Sequence, residues 1–118
     1  MKVLIIGASL NPERYAWLAL NDLVEAGYEV FAIGTRAAEL RGIDIKKDLI
    51  DVENVHTVTL YIGPQHQRPY FNYFVELHPK RVIFNPGTEN HELEELLRVN
   101  GIETIHACTL VMLRTNQF

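Results

Sequence analysis

Apolar runs of strand length alternate along this chain with segments of helical period, and that alternation leaves few folds open. The runs lie at 2–6, 28–33, 55–61, 81–84 and 103–105, and most of the gaps between them carry an apolar stripe at i, i+3, i+4 spacing. Strand–helix–strand repeats with short connections require parallel pairing. They predict an α/β fold: one doubly wound, mostly parallel five-stranded sheet with helices on both faces. At 118 residues the chain buries about 60 to 70% of its unfolded surface, enough for a single core, so one domain is expected over 1–118.

The helices carry their own punctuation. Asn11 reads as an N-cap with Pro12 at the first helical position, followed by Ala16, Ala19, Leu20, Leu23 and Val24 and a stop at Gly27. A second helix is expected from near Pro69, with Tyr70, Tyr73, Phe74 and Leu77 on one face and Pro79 beyond it. A third takes Thr88 as its cap, carries Leu93, Leu96 and Leu97, and stops at Gly101. Between 36 and 54 the pattern is mixed: Ala37 to Leu40 reads as one helical turn, and the polar stretch after Gly42 as a crossover.

Composition removes several classes of function. A net charge of −4 without blocks of like charge offers no basic face to nucleic acid. Cys108 is the sole cysteine, so no internal disulfide forms, and no basic and apolar leader opens the chain; both point to the cytoplasm. No apolar run approaches the ~20 residues of a membrane-spanning helix. The histidines, His56, His66, His78, His91 and His106, show no metal-ligand spacing, so no metal is expected. Neither a nucleophile–base arrangement nor a pair of carboxylates can be assembled at the strand ends. No catalytic residue is identified, and whether the chain is an enzyme stays open at this point.

In a doubly wound sheet, ligands sit at the carboxyl ends of the strands. Those ends are Gly7 to Asn11, Gly34 to Arg36, Ile62 to Gln65, Asn85 to Thr88 and His106 to Thr109. Gly7 permits a sharp turn, and the N–H groups of Ala8 and Ser9, the Ser9 hydroxyl and a helix start at Asn11 together suit an anion. Only the first glycine of a G-x-G-x-x-G turn is present; Ser9 and Pro12 replace the others. After the second strand, where an NAD site places an acid for the ribose hydroxyls, the chain has Thr35 and Arg36. An arginine there favours a phosphorylated ribose, as in NADP or coenzyme A. Cys108, among Leu110, Val111, Met112 and Leu113, reads either as a small buried hydrophobe or as a thiol at the rim of the sheet. Phe71 is surplus to its helix stripe and, if exposed, would form a homodimer patch with Trp17.

Taken together, VLIIGASLNPERYAWLALNDLVEAGYEVFAIGTR, a middle strand ending in Gly63–Pro64, and NPGTENHELEELLRVNGIETIHACTLVML resemble the small stand-alone CoA-binding proteins of Rossmann type over nearly the whole chain. These are similar to the N-terminal domain of the succinyl-CoA synthetase alpha subunit and related acyl-CoA ligases. The resemblance implies that Gly7, Ala8, Ser9 and Asn11 cradle the CoA phosphates and that Gly34, Thr35 and Arg36 face the adenosine phosphate, although the Asn-Pro usual before the basic residue is missing. It places Ile62, Gly63 and Pro64 in the nucleotide crevice, and Asn85, Pro86, Gly87 and Cys108 on the pantetheine side. The ligases' phosphorylated histidine belongs to further domains, so binding of CoA or an acyl-CoA without ligase chemistry is implied. The alternatives are an NADP-binding oxidoreductase-like module and a ligand-free interaction scaffold.

Overall fold

Side chains alternate along the first strand, Val3 and Ile5 to one face, Leu4 and Ile6 to the other, and all four are fully buried. A strand covered on both faces must be central, and it is. The computed structural model describes residues 1–118. Strands β1 (Lys2–Ala8), β2 (Glu29–Gly34), β3 (Ala38–Leu40), β4 (Ile43–Lys46), β5 (Val55–Leu60), β6 (Arg81–Phe84) and β7 (Glu103–His106) form one sheet in the order β3-β4-β2-β1-β5-β6-β7. All pairings are parallel except β3 with β4. The class is the expected Rossmann-like one, with the switch in strand order between β1 and β5.

Helices α1 (Tyr15–Glu25) and α4 (Thr109–Arg114) cover one face, where Leu20 and Leu23 meet Val3, Ile5 and Ala32. Helices α2 (Phe71–Leu77) and α3 (His91–Val99) cover the other, where Phe74, Leu93 and Leu97 meet Leu4, Ile6, Val58 and Phe84. None is long and apolar enough to cross a membrane.

The sheet has seven strands rather than five. Ala37 to Leu40, expected as a helical turn, contributes β3, which folds back on β4 through Arg41 (φ 56°) and Gly42 (φ 79°). Two residues at positive φ form the tight turn whose twist matches a hairpin. Arg41 is held in that unusual conformation by Glu25 at 3.0 Å and by the Asn21 amide oxygen at 3.2 Å, both on α1.

Helix starts also differ. Asn11 does not cap α1: its Oδ1 accepts the Glu13 N–H at 3.0 Å while the Ser9 Oγ accepts the Asn11 N–H at 3.0 Å. Those local bonds hold a turn open, and the helix begins only after Arg14. Asn90, not Thr88, caps α3 by accepting the Leu93 N–H. Thr88 instead donates its hydroxyl to the Asn85 carbonyl at 2.8 Å. Helix α2 begins at Phe71, after two 3₁₀ turns at Pro64–His66 and Arg68–Tyr70. Phe71 is buried beneath the Arg68 guanidinium, 5.1 Å from its ring centroid, so the condition for an exposed Phe71–Trp17 patch is not met.

Candidate functional site

The carboxyl ends of β1, β2 and β5 open into one cavity of about 730 Å³. Two glycines make that convergence possible. At Gly7 the pairing of β1 with β2 slips by one residue, and φ is +96°. A Cβ there would lie 2.8 Å from Ile62 Cγ2 and 3.1 Å from the Tyr61 carbonyl carbon. At Gly34 a Cβ would meet the Ala8 carbonyl oxygen at 2.5 Å. Both strand ends therefore approach their neighbours more closely than any other residue allows.

Of the residues singled out in the sequence, Gly7, Ala8, Ser9, Asn11, Thr35, Arg36, Ile62, Gly63 and Pro86 line this cavity. Gly34 lies just beneath its wall and is buried. Pro64, Asn85, Gly87 and Cys108 do not line it. Asn85 is 2% exposed and turned inward. Its Nδ2 donates to Thr59 Oγ1 at 2.7 Å and to the Leu60 carbonyl at 2.8 Å, and its Oδ1 accepts the Thr109 N–H at 2.8 Å. The Gly87 N–H is taken by Glu89 at 2.8 Å, and Cys108, half-buried, precedes the first turn of α4.

Several lining residues carry no earlier assignment. Arg14 is the most consequential. With a helix from Pro12 it would sit in the first turn; because α1 starts later, Arg14 stands at the helix mouth beside the cavity. The Tyr15 and Ala16 N–H groups of that first turn have no protein acceptor, which leaves donors and the positive end of the helix dipole facing the space. Ala38 and Ile45 of the β3–β4 hairpin add an apolar wall beyond Arg36, and His66 reaches in from the turn after β5. Gln67, fully buried, pins that turn by donating to the Ile62 carbonyl at 2.9 Å and the Thr88 carbonyl at 2.7 Å.

The electrostatics of the wall run against those of the chain. Although the protein carries −4 overall, no Asp or Glu lines the cavity, while Arg14 and Arg36 do, and neither is ion-paired. Two free guanidiniums and a set of unpaired N–H groups, with no competing carboxylate, are the kind of donors that suit a multiply charged anion.

Tyr61, also on the wall, is different. Burial pushes its phenol up to about 12. The Thr109 and Thr59 hydroxyls bond each other at 2.8 Å, and the Tyr61 oxygen is left buried without a partner. Since an unpaired buried hydroxyl costs about 1–3 kcal/mol, Tyr61→Phe should unfold at the same or a higher urea concentration than the parent. A fall in stability of more than about 1 kcal/mol would mean that the hydroxyl does find a partner in solution.

The chain matches the family model described as a CoA binding domain over residues 1–114. Among solved structures it is similar to an uncharacterized protein at 50% identity, covering 99% of this chain and 97% of that one with a TM-score of 0.95. A Thermus thermophilus protein, cell-free ID.343, matches at 23% identity and TM-score 0.86, over 99% of this chain and 90% of its own. The dinucleotide-forming acetyl-coenzyme A synthetase 1 of Ca. Korarchaeum cryptofilum, solved with phosphate and ADP, matches at 20% identity and TM-score 0.73. That match spans 90% of this chain but 25% of the synthetase, and these last two likenesses concern the fold alone. No curated protein shows significant similarity to the chain.

Proposed function

Because the chain belongs to the CoA-binding domain family, we propose that it binds coenzyme A or an acyl-CoA through the cavity at the β1, β2 and β5 ends, without catalysing a reaction. The pyrophosphate takes the turn from Gly7 to Asn11, the unpaired Tyr15 and Ala16 N–H groups and the Arg14 guanidinium. The ribose phosphate pairs with Arg36. Adenine rests against Ala38 and Ile45, which give it an apolar surface next to that arginine. The carrying observation is a wall with two unpaired arginines and no carboxylate in a chain of net negative charge. His66, the one imidazole on the wall, has no side-chain hydrogen-bond partner to set it up as an acid or base.

Calorimetric titration of ligand-stripped protein with CoA, dephospho-CoA and NADPH tests this reading. CoA should bind more tightly than dephospho-CoA by about 1.5–3 kcal/mol, the worth of a hydrogen bond between charged groups. In Arg36→Ala that difference should vanish, with CoA affinity falling about 10- to 150-fold. An Arg36→Ala protein that kept the parent's preference for CoA would remove Arg36 from the phosphate site. NADPH binding in the absence of CoA binding would assign the cavity to an NADP-dependent oxidoreductase instead.

A further inference from the structure

Residues 47–54 carry the chain from β4, on one side of β1, to β5 on the other, and they do so without a helix. A crossover between parallel strands ordinarily packs a helix against the face it spans. Here that span is covered by Ile50 and Val52, half-buried against the core under α2, and is tied down by the Tyr73 hydroxyl, which donates to the Ile50 carbonyl at 2.6 Å. Between the crossover and α2 an open groove of about 700 Å³ remains. Its floor is apolar, with Ile50, Val52 and Leu77, and with Leu49 at 52% exposure. Asp51, Glu53 and Glu76 stand on it, none of them ion-paired, and no Lys, Arg or His lines it. Lys2 comes near, but its ammonium donates to the Glu53 carbonyl at 2.9 Å.

We propose that this groove, alongside the crossover, docks a cationic amphipathic helix of a partner protein. The floor takes the apolar stripe of such a helix, and the three carboxylates meet Lys or Arg on its flanks. A second copy of this chain is a poor occupant, because α1 with Asp22 and Glu25, α2 with Glu76, and α3 with Glu92, Glu94 and Glu95 against Arg98 are net negative. The one net positive helix, the six-residue α4, has its single charge, Arg114, paired with Asp22 at 3.2 Å. The same carboxylates repel nucleic acid and anionic membranes. The groove is separate from the cavity at the strand ends and shares no residue with it.

The test uses three synthetic helical peptides added to the full-length, isotope-labelled protein and read by amide chemical shifts. One has leucines at i, i+3, i+4 and i+7 with lysine elsewhere; the second replaces lysine by glutamate; the third scrambles the first. Only the Leu/Lys peptide should bind saturably, with shifts concentrated at 49–54 and 73–77. In a folded Glu53→Lys/Glu76→Lys variant its affinity should fall about tenfold, since two attractive charge contacts become repulsive. Equal binding by the scrambled peptide would reduce the groove to a non-specific charge effect. Binding by the glutamate peptide, shifts elsewhere on the surface, no shifts at all, or concentration-dependent self-association centred on these residues would each overturn the proposal.

Discussion

Gly34→Ala should lose about 3 kcal/mol of folding stability, at the upper end of what one extra buried carbon does in a well-packed interior. The new Cβ would stand 2.5 Å from the Ala8 carbonyl oxygen and 3.0 Å from Ile45 Cγ2. The isoleucine can rotate away, but the Ala8 carbonyl belongs to the backbone of β1 and moves only if the strand moves. The register partners Ala8 and Gly34 close the β1–β2 ladder at its carboxyl end, so relief of the clash would part the two strand ends that frame the cavity. Urea unfolding should show a lower midpoint with an unchanged slope, and CoA affinity should fall with it. A variant as stable as the parent would show that the ladder spreads at little cost.

Asn85→Ala should lower the melting temperature by on the order of 10 °C, from a loss of about 3 kcal/mol. The amide of Asn85 joins β5, β6 and the start of α4 through three short hydrogen bonds in a space closed to water. Truncation leaves the Thr109 N–H and the Leu60 carbonyl buried without partners, and each such group costs more than the bond it lost was worth. Asn85→Asp separates this account from simple loss of volume. An aspartate fills the space but cannot donate to the Leu60 carbonyl, so it should be at least as unstable as the alanine variant at neutral pH. Calorimetric scans of both proteins give the answer; an aspartate variant close to the parent would refute the account.

The strand ends were legible in the sequence because strand periodicity and glycine positions survive in one dimension. Gly7 and Arg36 face the cavity as their places at the ends of β1 and β2 required. The hairpin was not legible, since Arg41-Gly42 lacks the Asn or Asp that marks such turns and depends on Glu25 and Asn21 of α1 to hold it. Arg14 was hidden for a related reason: the Ser9–Asn11–Glu13 bonds delay the helix by a few residues, and that delay decides whether the side chain meets solvent or the cavity. Asn85 shows the converse. A polar residue at a strand end has the right address for a ligand, yet only three-dimensional packing reveals that its amide is fully used within the protein.

The hairpin also bears on how copies of this protein avoid one another. Without β3 and β4, strand β2, with Val30, Ala32 and Ile33 buried, would form the outer edge of a parallel sheet. Such a flat apolar edge with free N–H and C=O groups is a template for runaway strand addition. The hairpin replaces it with Ala38–Leu40, a three-residue strand with the exposed Glu39 at its centre. The opposite edge, β7, is four residues long and begins on the exposed Glu103. Both borders are short and each carries an exposed glutamate, features that discourage strand addition, and one of them belongs to the hairpin whose Ala38 and Ile45 wall the cavity.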